Sequence, residues 1–207
     1  MTERKIKPVE DNYDKRKTYA NHKSRYEVAM KYGFYMEAIM IDYSIIEDRL
    51  RSLLYHMGFL ANRNATGIWK KSRPYLSKII RAHKSESEND SLGIKNVSSK
   101  MKIIRCVLLW THSAEGGADN RHLSALRTQC EGLDIQEFLN KLGEIKVWCD
   151  YRNEIVHALM NKNLESLNSE LEEKAKKGMR LANYLDSKTR TVKLKNKIRK
   201  AANLSMN

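Results

Sequence analysis

The sequence has few of the residues that mark disulfide-bonded or zinc-binding proteins. Among its 207 residues are three cysteines and two prolines. Cys106, Cys130 and Cys149 are odd in number and form no paired motif, which argues against a disulfide framework and for a reducing compartment. C-x-x-C and H-E-x-x-H are missing, and His112 and His122 have no third ligand nearby. We therefore expect no metal and no cofactor.

Long apolar runs are missing as well. No stretch approaches the roughly 18 consecutive apolar residues that span a bilayer. The chain begins with the polar sequence Met-Thr-Glu-Arg-Lys, which is not a secretory signal. We therefore expect a soluble, cytoplasmic protein without a membrane partner. The G-x-S-x-G elbow of serine hydrolases and the glycine-rich phosphate loop are also missing.

Positive charge, in contrast, is abundant. The 39 lysines and arginines outnumber the 25 acidic residues, which gives a formal net charge of +14. A charge of this size favours a polyanionic partner, namely RNA, DNA or an anionic membrane surface. The alternative is a protein that is basic without binding any of these.

The apolar residues recur at steps of three and four, which is typical of amphipathic helices. The pattern predicts helices over about 24–60, from Pro74 through Ile80, and over 100–110, 121–130, 134–160 and 164–185. No convincing alternating strand is found. Because amphipathic helices must bury their apolar faces together, we predict an all-α, antiparallel bundle of four to five main helices.

Charge patterning divides the chain into three parts. Residues 1–22 are predicted to form a loosely ordered basic arm, residues 23–187 the helical domain, and residues 188–207 a basic tail. Between positions 188 and 200 the tail carries seven basic residues and no acid. It is suited to track an RNA backbone, and a solvated helix end is the equal alternative.

One charged residue interrupts the apolar stripe of the helix predicted over 134–160. The stripe follows positions 138, 142, 145, 149, 152, 156 and 159, and position 152 is Arg152. A guanidinium in the seam of a bundle is unfavourable unless it is paired or hydrated, and such a conflict often marks a functional site. The alternative is an ion pair between Arg152 and Glu47 or Asp48 on the first helix.

Arg152 is followed by Asn153 and, five positions on, by His157. An arginine and a histidine separated by four to six residues are a weak signal, because this spacing occurs five times in the chain. The pair at 152 and 157 differs from the others because asparagine follows the arginine, and because the arginine replaces a core residue within a long helix. The best competing pair is Arg51 and His56, where the histidine is expected to end a helix.

The segment Arg152-Asn153-Glu154-Ile155-Val156-His157 resembles the active-site motif of HEPN-family ribonucleases. These are small helical bundles that carry R-x4-6-H on a late helix, commonly with a polar residue after the arginine. The resemblance covers about residues 28–60 and 134–185. It implies that Arg152, His157 and Asn153 form the catalytic site.

The residue types suit RNA cleavage without a metal. An imidazole with a pKa near neutrality can move the proton of a 2′-hydroxyl or protonate the leaving 5′-oxygen. An arginine can hold the phosphate through two hydrogen bonds and stabilise the added negative charge. The resemblance further implies a two-fold homodimer in which Arg152 and His157 of both copies converge, with Asn153 orienting the histidine or binding phosphate. The side chains of Trp148, Tyr151 and Val156 are candidates for that contact or for ordinary core.

The sequence departs from the family pattern at Leu159. Many HEPN toxins have the extended form R-x4-H-x-Tyr, so neutralisation by modification of that tyrosine is not expected. We expect a metal-independent endoribonuclease in toxin–antitoxin or antiphage defence, acting on RNA and controlled by an antitoxin or regulatory protein. The alternative is a non-catalytic helical module that binds RNA or a protein.

Overall fold

The structure, a computed structural model of the chain, describes residues 12–113, 121–158 and 164–195. Within these ranges the chain forms seven α-helices and no β-strand, so the all-α prediction is confirmed. None of these helices combines the length and the apolar character needed to cross a membrane. The helices are α1 (Asn12–Lys31), α2 (Tyr35–His56), α3 (Arg73–His83), α4 (Val97–His112), α5 (Arg121–Cys130), α6 (Ile135–Ala158) and α7 (Leu164–Lys195).

The first predicted helix is in fact two helices, α1 and α2, joined by a turn at Gly33. The N–H of Gly33 donates to Met30 O and the N–H of Phe34 to Ala29 O, which is the Schellman pattern that ends a helix. Gly33 has a φ of 73°, which glycine adopts without steric cost. The turn lets α1 fold back onto α2.

The basic arm predicted for residues 1–22 is wrong over residues 12–22, which belong to α1. The reason is tertiary. Lys15 Nζ lies 2.8 Å from Asp48 Oδ1, and the Tyr19 hydroxyl donates to Asp48 Oδ2 at 3.1 Å, so α2 holds a segment whose own apolar pattern is weak. The rest of the predicted arm, residues 1–11, lies outside the described residues.

The basic tail is likewise shorter than predicted. Helix α7 continues to Lys195 and buries Thr189 and Val192 beyond the predicted boundary at residue 188. Lys188 of this segment forms an ion pair with Glu137 at 2.8 Å. Residues 196–207 lie outside the described residues.

The core is organised around α2 and α7, which form the most extensive helix pair. The two helices run in the same direction, because Tyr35 bonds to Glu172 near their starts and Arg49 bonds to Asp186 further along. Helix α6 runs antiparallel to α7, since Glu137 meets Lys188 while Trp148 meets Lys174. The bundle is therefore of mixed direction, whereas the sequence pattern predicted an antiparallel one.

The shorter helices close the two open sides of this core. Helix α4 begins with a capping box between Asn96 and Ser99, and its buried Lys100 pairs with Glu47 of α2 at 2.8 Å. Helix α5 supplies the buried Gln129, whose amide donates to His56 O and to Val192 O. These bonds tie the C-terminal ends of α2 and α7 together through α5.

Candidate active site at the end of helix α6

Helix α6 carries the predicted motif in its last two turns. Asp134 caps the helix by accepting a hydrogen bond from the N–H of Glu137 at 2.8 Å. The helix is anchored by a buried stripe, and Ile155 rather than Val156 is the last fully buried member. Its described members are Phe138, Leu142, Ile145, Trp148, Cys149 and Ile155. The motif therefore stands on a firmly packed helix.

Arg152 lies half-buried against α2 at the edge of this stripe. Its guanidinium carbon lies 4.3 Å from the ring centroid of Tyr43, which is a cation–π contact. Nη1 donates to Asn153 Oδ1 at 3.1 Å, and Nη2 lies 3.1 Å from Met40 Sδ. The buried Nε has no hydrogen-bond partner in the described part of the chain. The guanidinium is thus held in place mainly by apolar and neutral groups.

The ion pair considered for Arg152 is not formed. Glu47 pairs with Lys100, while Asp48 pairs with Lys15 and Arg49. In the described ranges no carboxylate lies within ion-pair distance of Arg152. The alternative interpretation, in which Arg152 forms an ion pair with Glu47 or Asp48, is therefore wrong for the described residues.

Glu47 nevertheless influences the neighbourhood of Arg152 through Tyr43. Burial raises the pKa of Tyr43, the charge of Glu47 adds to the rise, and the charge of Arg152 opposes it. The same two charges act on Cys149, where burial raises the thiol pKa to about 12. A thiol with that pKa is almost wholly protonated at neutral pH, so Cys149 is a core residue and not a nucleophile.

His157 is exposed and makes no hydrogen bond in the described residues. Because it follows Arg152 by five positions, it is rotated by about 140° and displaced by about 7.5 Å along an ideal helix. The two side chains therefore leave α6 in different directions. Asn153 is also exposed, and in the single chain it bonds to Arg152 and not to His157.

Trp148 and Tyr151, considered for the dimer contact, are used within the chain. Trp148 is buried and donates through Nε1 to Lys174 O at 2.8 Å. Tyr151 donates to Glu170 at 3.1 Å, and Lys174 Nζ lies 3.9 Å from its ring centroid. Both side chains therefore fasten α6 to α7.

The sequence did not reveal the two side chains that Arg152 packs against, Tyr43 and Met40. Tyr43 belongs to the apolar stripe of the first predicted helix, and nothing in its spacing shows that an arginine covers its ring. Met40 lies one turn before Tyr43 and was not part of that stripe. Met40 is partly exposed, and nothing in the sequence distinguishes it from an ordinary apolar residue at the surface.

The structure also bears on the competing pair, Arg51 and His56, and on a metal site. His56 is the last residue of α2, as expected, and its side chain is buried. In the described ranges no group of three or more histidine, cysteine or acidic side chains is arranged to hold a metal. His122 instead stacks on Tyr75 with ring centroids 5.7 Å apart.

No protein-family model, no curated protein and no solved structure matches this chain. Its function must therefore be inferred from the residues at the site.

Proposed function

We propose that this protein is a metal-independent endoribonuclease of HEPN type that cleaves RNA by attack of the 2′-hydroxyl on the adjacent phosphorus. Arg152 binds the phosphate, His157 transfers protons, and Asn153 positions the guanidinium. Two copies of the chain form the site. Toxin–antitoxin or antiphage defence is the setting that this activity suits, with an antitoxin or regulatory protein as the second partner.

The observation that carries the proposal is that Arg152 has no counter-ion in the described part of the chain. Its guanidinium is fixed by the Tyr43 ring and by Asn153, yet it is not neutralised by any carboxylate of the described chain. A partly buried cation without a counter-ion is unfavourable, and an incoming phosphate removes that cost. Arginine also matches phosphate geometrically, because its planar group donates two parallel hydrogen bonds.

The placement of His157 supports a site shared by two copies. Proton transfer in this reaction occurs twice, once from the 2′-oxygen and once to the 5′-oxygen that leaves. The 2′-oxygen forms a bond to phosphorus as the bond to the 5′-oxygen breaks, which yields a 2′,3′-cyclic phosphate and a 5′-hydroxyl. His157 carries out one of these transfers and water the other. Because the Arg152 and His157 side chains of one copy leave α6 in different directions, the His157 that serves a phosphate on Arg152 comes from the second copy.

A binding module without catalysis is the second candidate. The observation in its favour is that His157 has no orienting hydrogen bond in the described residues, since a catalytic imidazole is usually held by a second group. The basic charge of the chain suits RNA binding with or without cleavage. The two candidates therefore differ in the role of His157.

RNA cleavage in the presence of EDTA tests the proposal. The wild-type protein should cut RNA to products with 2′,3′-cyclic phosphate ends. Arg152→Ala should lower the rate by about 10²–10³-fold and His157→Ala by about 10²–10⁴-fold, while circular dichroism shows intact folding. Arg152→Lys should recover only part of the loss, because lysine keeps the charge but not the planar pair of donors.

His112→Ala is the matched control. His112 is also exposed at the end of a helix and also follows an arginine at motif-like spacing. The His112→Ala protein should cleave RNA at the wild-type rate. Cleavage by His157→Ala at the wild-type rate would sink the catalytic proposal, and RNA binding without cleavage by every variant would establish the binding module.

A further inference from the structure

A second basic feature lies at the other end of α2 from Arg152. A cleft of about 670 Å³ is lined by residues of α1, α2 and α7 and by Arg63 from the loop after α2. Arg152 contacts α2 at Met40 and Tyr43, whereas the cleft uses Arg49 and Ser52. Tyr43 and Ser52 are nine residues apart, which is about 14 Å along a helix. The cleft is therefore separate from the Arg152 site.

The cleft has more positive than negative charge. Among the described residues, six cationic side chains line it, while the acids at or beside it are Asp186 and Asp48, so cations outnumber acids there. Asp48 is shared by Lys15 and Arg49, and Asp186 by Arg49 and Arg190. Arg16 and Lys193 form no ion pair in the described ranges. The six cations are Lys15, Arg16, Arg49, Arg63, Arg190 and Lys193.

The floor of the cleft is rigid. Arg49 bonds to Asp48 at 2.6 Å and to Asp186 at 2.8 Å, and its guanidinium carbon lies 4.1 Å from the Tyr19 ring centroid. The Tyr19 hydroxyl completes the group by donating to Asp48. Arg16, Arg190 and Lys193 at the rim are exposed. The charge of Arg49 is balanced by its two carboxylate partners, so the floor supplies a fixed shape. The exposed Arg16 and Lys193 supply the charge for an anion that makes several contacts.

The pKa of Lys193 reflects the repulsion among these cations. Burial lowers the pKa of its ammonium group, and the charges of Arg63, Arg16, Arg49 and Arg190 lower it further. The pKa of Lys15 is lowered in the same way, by burial first, although Asp48 opposes the effect. A bound anion would relieve this repulsion.

The shape and the lining decide between ligand classes. A volume of about 670 Å³ is within the range of small-molecule sites. The Tyr19 ring, which a nucleobase would need for stacking, is already covered by Arg49. We propose that this cleft binds a compact polyphosphate, either free or as the phosphate chain of a nucleotide, chiefly through Arg16 and Lys193.

Calorimetric titration of the full chain at fixed ionic strength tests this assignment. The probes are inorganic tripolyphosphate, ATP, adenosine, and a single-stranded RNA oligomer. Tripolyphosphate should bind and adenosine should not. ATP bound as tightly as tripolyphosphate indicates that the phosphate chain alone is recognised, and tighter binding of ATP identifies a nucleotide as the source of that chain.

The variant Arg16→Ala/Lys193→Ala removes two exposed cations and leaves the Arg49 floor intact. We expect it to bind tripolyphosphate about tenfold more weakly or worse, because charge-assisted hydrogen bonds are lost. Arg73→Ala/Lys78→Ala is the matched control: it makes the same charge change at exposed positions of α3 and should alter the affinity by less than about twofold.

Three outcomes would overturn the assignment. The first is equal weakening by the α3 control, which would show only non-specific charge attraction. The second is binding of the RNA oligomer through Arg16 and Lys193 without binding of tripolyphosphate, which would make the cleft part of an RNA path. The third is loss of tripolyphosphate binding in Arg152→Ala, which would place the ligand at the other site. We expect the Arg152→Ala protein to bind tripolyphosphate as the wild type does. The binding test therefore stands whether or not the protein cleaves RNA.

Discussion

Asp42 is the residue most at odds with its surroundings. It lies on α2 with 0% of its surface exposed, and neither carboxyl oxygen has a hydrogen-bond partner in the described residues. Burial raises its pKa to about 9, so the side chain is protonated at neutral pH. Nearby, burial and the carboxyl of Asp42 raise the pKa of Tyr26 to about 12. The core therefore holds a neutral carboxylic acid.

This placement predicts a stability that falls as the pH rises. The unfolded chain ionises Asp42 near its ordinary pKa of about 3.9, whereas the folded chain does so only near 9. Between these values unfolding releases a proton, so the free energy of unfolding decreases by up to about 1.4 kcal/mol per pH unit. Urea unfolding of wild type and Asp42→Asn between pH 5 and 8 should show this slope reduced in the variant.

Asp48 supplies the control, because its surroundings act in the opposite direction. Burial opposes its ionisation, but the charges of Lys15 and Arg49 outweigh burial and hold its pKa below the usual value. Its stabilisation is present above the unfolded pKa and is lost only at acid pH. Asp48→Asn should therefore lower stability at pH 7 and keep the wild-type slope between pH 5 and 8. Identical slopes in wild type and Asp42→Asn would show that Asp42 ionises normally.

Single residues also mark where sequence reasoning succeeds and where it stops. Arg152 is identifiable because it breaks an apolar period, and the structure places it at the edge of the core. Asp42 lies three residues after Ile39 and four before Ile46, so it falls on the apolar stripe of α2. Tyr43 fits the same stripe, and the sequence pattern alone did not single out Asp42. Its burial depends on α7 covering that side of α2, and α7 is more than a hundred residues away along the chain.

At the scale of helices, the close approach of α2, α6 and α7 depends on Gly178. A β-carbon built on Gly178 would lie 2.5 Å from Asp42 Oδ2 and 2.5 Å from Trp148 Cζ2. The Trp148 ring cannot move freely, because its Nε1 is bonded to Lys174 O. The missing side chain of Gly178 is thus what lets the three helices meet.

Gly178→Ala should destabilise the protein by about 1–3 kcal/mol, since an added methyl group overpacks the core. Gly143→Ala on α6 is the matched substitution, because its new β-carbon would meet nothing within 4 Å. It should stabilise the protein by about 0.5–1 kcal/mol through helix propensity alone. Urea unfolding measures both. A stabilising Gly178→Ala would show that α2, α6 and α7 leave room for a methyl group at this position.

Helices α3 and α5 and the start of α6 followed the local signals in the sequence closely. Pro74 lies in the first turn of α3, α5 has the predicted bounds, and Asp134 caps α6. Helices α1 and α7 extend beyond their predicted bounds. Residues 12–22 and 188–195 are mostly polar, and contacts such as Lys15–Asp48 and Lys188–Glu137, together with burial of Val192, hold them in place. Local patterns predict elements that fold by their own apolar face, and miss those held by distant charges.

At the scale of the whole molecule, the parallel pairing of α2 and α7 decides where the charges meet. It brings Arg49 beside Asp186 and Lys193 at one end and leaves Arg152 of α6 at the other. The direction of that pair cannot be read from amphipathic periods, which are the same for parallel and antiparallel helices. The basic cleft was therefore not predicted, although its arginines and lysines are evident in the composition.

The proposed two-fold site makes its own prediction about the assembled molecule. Arg152 and His157 diverge by about 140° on one helix, so a working pair requires Arg152 of one copy and His157 of the other. Mixed dimers of Arg152→Ala and His157→Ala chains, purified by two different affinity tags, contain one restored pair. They should cleave RNA at about half the wild-type rate. Dimers of either variant alone should remain inactive.

The control for these mixed dimers pairs each variant with the doubly substituted chain Arg152→Ala/His157→Ala. Such dimers contain an arginine or a histidine but never both, so they should show no recovery. If the mixed single variants recover nothing either, Arg152 and His157 do not act across the interface. A monomer by sedimentation at cleavage-competent concentrations would contradict the shared site directly, because a single copy lacks the partner side chain that this site requires.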